Sequence, residues 1–199
     1  MNPLVEKIIS QEEKYSNLLN RLELIYNKMD DKYNKLCSYY GFYCTGCVDN
    51  CCFTRFYHHT FAEYLFIKKG FETLDLVNRN DLKVKADLIC KQTIELDNSG
   101  LPVYLLCPLN HDGMCVLYAY RPMICRLHGL PHELLLPGRE NKLSPGCDEF
   151  KVQCDSKEYM KFDRTPFYAE MAALEKDMKK ALDISERIKM TIAQMLITL

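Results

Sequence analysis

Eleven of the 199 residues are cysteine, and they are unevenly spaced. Cys44, Cys47, Cys51 and Cys52 fall within nine residues; Cys107, Cys115, Cys125 and Cys147 follow after a long gap; Cys37, Cys90 and Cys154 stand apart. Cysteines acting only as small apolar fillers have no reason to cluster. A Cys-x-x-Cys turn lets two thiolates converge, and such elements drawn from distant segments build the sulfur sites of zinc ions and iron–sulfur clusters. Cys44-Thr45-Gly46-Cys47 suits that turn, because Gly46 permits positive φ. Cys51 and Cys52 are adjacent, so either they face two sites or one ligates while the other packs. The odd count argues against a disulfide framework, as does a length that buries a core without bridges. Cys37, Cys90 and Cys154 read as buried filler, with Cys154 near enough to Cys147 to be a spare ligand.

Thiolate ligation needs charge compensation, since four thiolates around zinc or an oxidised 4Fe–4S centre leave about −2 by formal counting. Arg121 and Arg126 flank Cys125 and could donate to sulfur or to the chain; the plainer reading makes them packing residues. His58 and His59 follow the first cluster, where a solvated or capping pair is commoner than a ligand. His111 lies in a His-Asp-Gly turn and points to water. His128 and His132 sit near Cys125, where either could bond a sulfur or line a pocket. Tyr118 and Tyr120 could shield the cluster from solvent. No G-x-G-x-x-G, phosphate loop, G-x-S-x-G or H-E-x-x-H occurs.

The elements that must position these groups are mostly helical. Ile8, Tyr15, Leu22, Met29 and Leu36 recur every seven residues, with Leu4, Leu18 and Ile25 interleaved. A helix over Pro3 to about Leu36 would be roughly 50 Å long. Its apolar stripe must lie on the rest of the chain or, as the alternative, on a second copy. Gly41 ends this helix. A second helix runs from about His59 to Lys69 and stops at Gly70, and a third runs from Asn80 as N-cap to Leu96. Leu82, Ala86, Ile89 and Cys90 of the third face inward. Residues 103–107 read as a strand, His-Asp-Gly as a tight turn and 114–120 as a return strand. Pro122 opens a short helix that Gly129 closes, and 130–147 reads as a loop. Thr165-Pro166 starts a helix to about Leu182, and a further helical pattern reaches the terminus.

The expected fold is therefore mostly α with a small β-hairpin, its helices wrapped around a cysteine-rich metal-binding core. It is a single domain over 1–199: a long N-terminal helix over 1–40, the cysteine-cluster core over 41–154 and C-terminal helices over 155–199. Apolar residues make up 48% and charged residues 27%, as in ordinary globular proteins. A net charge of −1 argues against binding driven by a phosphate backbone. No apolar run is long enough to span a membrane. The acidic start of the chain lacks a signal peptide's basic region, so a cytoplasmic location is expected.

The string Cys44-x-x-Cys47-x-x-x-Cys51-Cys52, then Cys107-Pro108, then Cys115-x-x-Tyr118-x-x-Arg121-Pro122-x-x-Cys125-Arg126 and finally Cys147 resembles the YkgJ-type cysteine-cluster family, the CxxCxxCC zinc- or iron-chelating domain. The likeness covers Cys44 to Cys147, about half the chain. One departure is that three residues, not two, separate Cys47 from Cys51. The resemblance implies a metal-chelating protein, with Cys44, Cys47, Cys51, Cys52, Cys107, Cys115, Cys125 and Cys147 as candidate ligands. Flagellin lysine methylases are similar in carrying such a cluster.

Three functions are expected from this reading. The first is an iron–sulfur protein in redox or cluster-dependent modification chemistry, favoured by all-sulfur ligands and by Cys107-Pro108, which resembles the Cys-Pro of ferredoxin runs. The second is a structural zinc module for protein–protein interaction, and the third a methylase-like metal enzyme acting on a protein. A protein or redox partner is implied, with no nucleic acid and no membrane, and the homodimer remains the alternative for the N-terminal helix.

Overall fold

A computed structural model describes residues 3–44, 51–135, 138, 142–154 and 156–199. Cys47 and most of the turn around it lie outside the described residues. The chain is mostly helical, with two small antiparallel hairpins.

The N-terminal stripe forms two helices rather than one: α1 (Pro3–Ile9) and α2 (Glu12–Tyr40). At the break the Ser10 hydroxyl and the Gln11 amide both bond the Lys7 carbonyl, each at 3.0 Å. Side chains competing for a helix carbonyl end the ladder there. The heptad register survives the break, because Ile8, Tyr15, Leu22, Met29 and Leu36 are all buried in one core. α2 ends at Gly41, whose φ of 70° closes it in the left-handed conformation. Its stripe is covered within the chain by α3 (Phe61–Glu72), α5 (Met123–Leu127) and α7 (Thr165–Leu182).

α3 runs two residues beyond Gly70, which is not a stop signal. A Cβ at Gly70 would lie 2.4 Å from Cγ of Tyr120, so the glycine admits the 3-10 turn Tyr118–Tyr120 against α3. That turn leads directly into α5, which carries Cys125. Gly70→Ala gains helix propensity but must displace Tyr120. It is expected to lower stability by roughly 1–3 kcal/mol, the usual range for overpacking, measured by urea unfolding.

α4 (Leu76–Asn98) begins five residues earlier than an N-cap at Asn80 implies. Asp75 is the cap, its carboxylate accepting from the Asn78 backbone at 2.9 Å and from the Asn78 side chain at 2.6 Å. Residues 103–107 form no strand; Pro102 and Pro108 flank them, each lacking a ladder donor. The first hairpin is confined to β1 (Asn110–His111) and β2 (Met114–Cys115) around Asp112-Gly113. The expected loop over 130–147 instead contains a second hairpin, β3 (His132–Leu134) with β4 (Lys142–Ser144).

α6 (Asp148–Cys154) and α7 follow; beyond α7 residues 184–189 form neither helix nor strand. Only the short α8 (Ile192–Leu196) closes it, held by a Thr191–Gln194 capping box. No helix among the described residues is long and apolar enough to cross a membrane.

Glu175 of α7 is buried against the start of α3, where one carboxylate oxygen accepts from the Ala62 N–H at 3.3 Å. Its other oxygen has no partner among the described residues. Burial first, and Glu63 weakly, raise its pKa from 4.5 to about 7 against the two N–H bonds at Phe61 and Ala62. The folded state therefore holds this proton where the unfolded chain has lost it. That contribution is fully present below pH 4.5 and disappears as pH rises through about 7. Glu175→Gln keeps the shape without the charge. It is expected to flatten stability between pH 5 and 8 and to raise it at pH 8 by roughly 1–3 kcal/mol, read from urea midpoints across that range.

Candidate metal centre

Two distant segments of the chain meet at a solvent-open cleft. Cys51 and Cys52 contribute from the segment before α3, Cys107 from the segment after α4, and Cys125 from α5. The two segments are joined directly, the Cys107 N–H donating to the Cys52 carbonyl at 2.7 Å. Ile89 and Thr93 of α4 and residues 191–193 at the start of α8 line the same cleft. The hairpin brings Cys115 close enough to perturb the titration of Cys107 and Cys125. Five of the eight candidate ligands are thus brought together.

The electrostatics are those of thiols that resist ionising one by one. Burial lifts Cys125 well above its ordinary value and Cys107 to about 12, and each is raised further by neighbouring cysteines. Burial also raises Cys115. Cys52 is the exception: a hydrogen bond with Cys51 first, then one with Asn110 and the charge of Arg121, hold it below the ordinary thiol value. Cys51 is raised, by its hydrogen bond with Cys52 first and then by burial. Mutually repelling buried thiols ionise together when a metal cation offsets their charge.

The two arginines separate. Arg121 lowers the pKa of Cys51, Cys52, Cys115 and Cys125, and it is held in place by Tyr118, whose ring lies 3.5 Å from Cζ and whose carbonyl accepts Nε–H. Arg126 instead packs. It pairs with Asp30 at 2.5 Å, lies over the Tyr26 ring and donates to the carbonyls of Ala119 and Arg121. Tyr118 is exposed and Tyr120 packs on Phe66, so each does something other than shield a cluster.

Cys44 and Cys147 are placed elsewhere, around Tyr33 on α2 together with Cys37 and Cys154. The Phe150 N–H donates to the Cys147 sulfur at 3.4 Å, and the Cys154 thiol to the Tyr40 carbonyl at 3.6 Å. The Gln153 side-chain amide clasps the backbone of Tyr43, its oxygen accepting from the Tyr43 N–H and its nitrogen donating to the Tyr43 carbonyl, which ties the residue before Cys44 to α6. Cys154 is buried in the core, and Cys37 and Cys90 pack half-buried against it. No disulfide joins the described cysteines.

Among the histidines, His111 is exposed beside Asp112, and His59 is exposed ahead of the α3 cap. The His128 ring stands edge-on to Phe56, and the His132 ring is paired with the Leu130 carbonyl. The residue that sequence reasoning set aside is His58, which is buried and lines the same cleft as Cys51, Cys52, Cys107 and Cys125. Burial pushes it down to about 4, leaving a neutral imidazole at pH 7. Arg55 also lines the cleft and forks onto Asp97 at 2.7 and 2.8 Å, fastening the segment to the end of α4.

Among the described residues, no group of three or more His, Cys, Asp or Glu side chains is placed so that it could hold a single metal ion. The chemistry of the donors nonetheless suits a thiolate-bound group: soft ligands from two segments, the charge of Arg121 acting on them and a partly apolar wall. No family model, curated protein or solved structure matches the chain.

Proposed function

We propose that this chain is an iron–sulfur protein whose cluster is held from among Cys51, Cys52, Cys107, Cys115 and Cys125, in redox or cluster-dependent modification chemistry. The observation that carries this reading is the meeting of thiols from residues 51–52 with those of 107 and 125 at one cleft. Tetrahedral zinc needs four sulfurs within about 3.8 Å of one another, by its 2.3 Å bonds. In a 4Fe–4S cluster each cysteine binds a different iron, so the ligands stand around a volume. Thiols that frame a cleft favour the second arrangement. The resemblance to the cysteine-cluster family supports a chelated metal, zinc or iron alike, and unbridged thiols fit a reducing compartment such as the cytoplasm.

Chemistry on a further molecule is favoured by the cleft itself, because the thiols occupy only part of it. Phe56, Ile89, Val103 and Ile192 give the remainder an apolar lining. Protein purified without oxygen is expected to be brown, with a broad band near ~400 nm and matching iron and acid-labile sulfide. Colourless protein with stoichiometric zinc would instead support the structural zinc module.

A further inference from the structure

His58 is 2% exposed, and its Nε2 has no hydrogen-bond partner among the described residues. A buried imidazole nitrogen with nothing to bond is unfavourable, so a partner in the cleft is called for. The ring cannot reach water by a small backbone shift. The His58 N–H donates to the Met190 carbonyl at 2.8 Å, and Met190 returns the bond at 3.1 Å. Two residues on, the Thr60 side chain caps α3. The ring is therefore fixed between the C-terminal segment and the wall that holds Cys51, Cys52, Cys107 and Cys125.

We propose that His58 is a nitrogen ligand of the metal centre, through Nε2. This deepens the iron–sulfur reading above and rests on it. A neutral imidazole has a lone pair on one ring nitrogen, the form that binds metals. The other unpartnered group in the wall, Nε of Arg55, belongs to a cation and cannot ligate. A mixed cysteine and histidine set carries one negative charge fewer than four thiolates, so this centre has a higher reduction potential than an all-cysteine cluster in the same cleft.

The test is pulsed EPR of the full chain, purified without oxygen and poised in its paramagnetic state. A strong nitrogen-14 coupling of a coordinated imidazole is expected. It should vanish in His58→Cys while iron and sulfide are retained, and the reduction potential of that variant should fall. Should His58→Cys fail to fold, His59→Gln, His128→Gln and His132→Gln must each keep the coupling. A cluster showing only the weak couplings of hydrogen-bonded amides, or a coupling that survives in His58→Cys or is lost in one of the other variants, overturns the ligand assignment and leaves the cluster reading standing. Absence of iron and sulfide from the wild-type protein overturns the cluster reading, and this inference with it.

Discussion

Cys125→Ser should abolish the ~400 nm band and the bound iron together, and lower stability by at least about 3 kcal/mol. Cys125 lies on α5, lines the cleft and is raised by burial and by two neighbouring cysteines, so it is central to the thiol group. A serine hydroxyl neither ionises at neutral pH nor suits a soft metal. Metal binding is coupled to folding, because the unfolded chain holds no preformed site. The loss should fall short of the roughly 10–16 kcal/mol of zinc-finger peptides, since α2, α3 and α7 keep a core of their own. Cys90→Ala, outside both thiol groups, should leave metal content unchanged. Cys44→Ser should cost less iron than Cys125→Ser, because Cys44 gathers with Cys37 around Tyr33. Metal analysis and thermal unfolding of the three variants check this ordering.

Arg126→Met should destabilise the fold by about 3–5 kcal/mol, the range for breaking a buried ion pair. The guanidinium is 5% exposed and joins Asp30 of α2 to the carbonyls of Ala119 and Arg121 on the way into α5. Methionine fills the space but leaves those carbonyls buried without a donor. The carboxylate of Asp30, one-third exposed, can turn to water, which sets the loss towards the lower end. Arg121→Gln is the informative contrast. It should leave unfolding nearly unchanged and act on the metal centre, because Arg121 stands over the exposed Tyr118 ring with its charge towards the thiols. Chemical denaturation of both variants, beside their absorbance spectra, separates the two roles that the flanking arginines of Cys125 share in sequence.

Where the chemistry is local, the sequence was readable. The seven-residue spacing of Ile8 to Leu36 identified the buried face of α1 and α2, and Gly41 marked the helix end through its own conformational freedom. Residues 107–125 were legible as a motif, and the structure brings Cys107 and Cys125 to one cleft with Cys51 and Cys52. What sequence could not supply depends on contacts between distant segments. Gly70 resembles a helix stop but serves the approach of Tyr120, fifty residues away. The partition of the cysteines depends on how α6 returns to the end of α2, which no spacing records. His58 looked like a solvated residue beside His59, and its burial is produced by Met190 closing over it from the far end of the chain.

X-ray absorption at the iron edge of protein purified without oxygen tests the central assignment most directly. Sulfur neighbours around iron, with an iron–iron vector at short range, are expected. Iron surrounded only by oxygen and nitrogen, or protein whose sole stoichiometric metal is zinc in a sulfur shell, would contradict it.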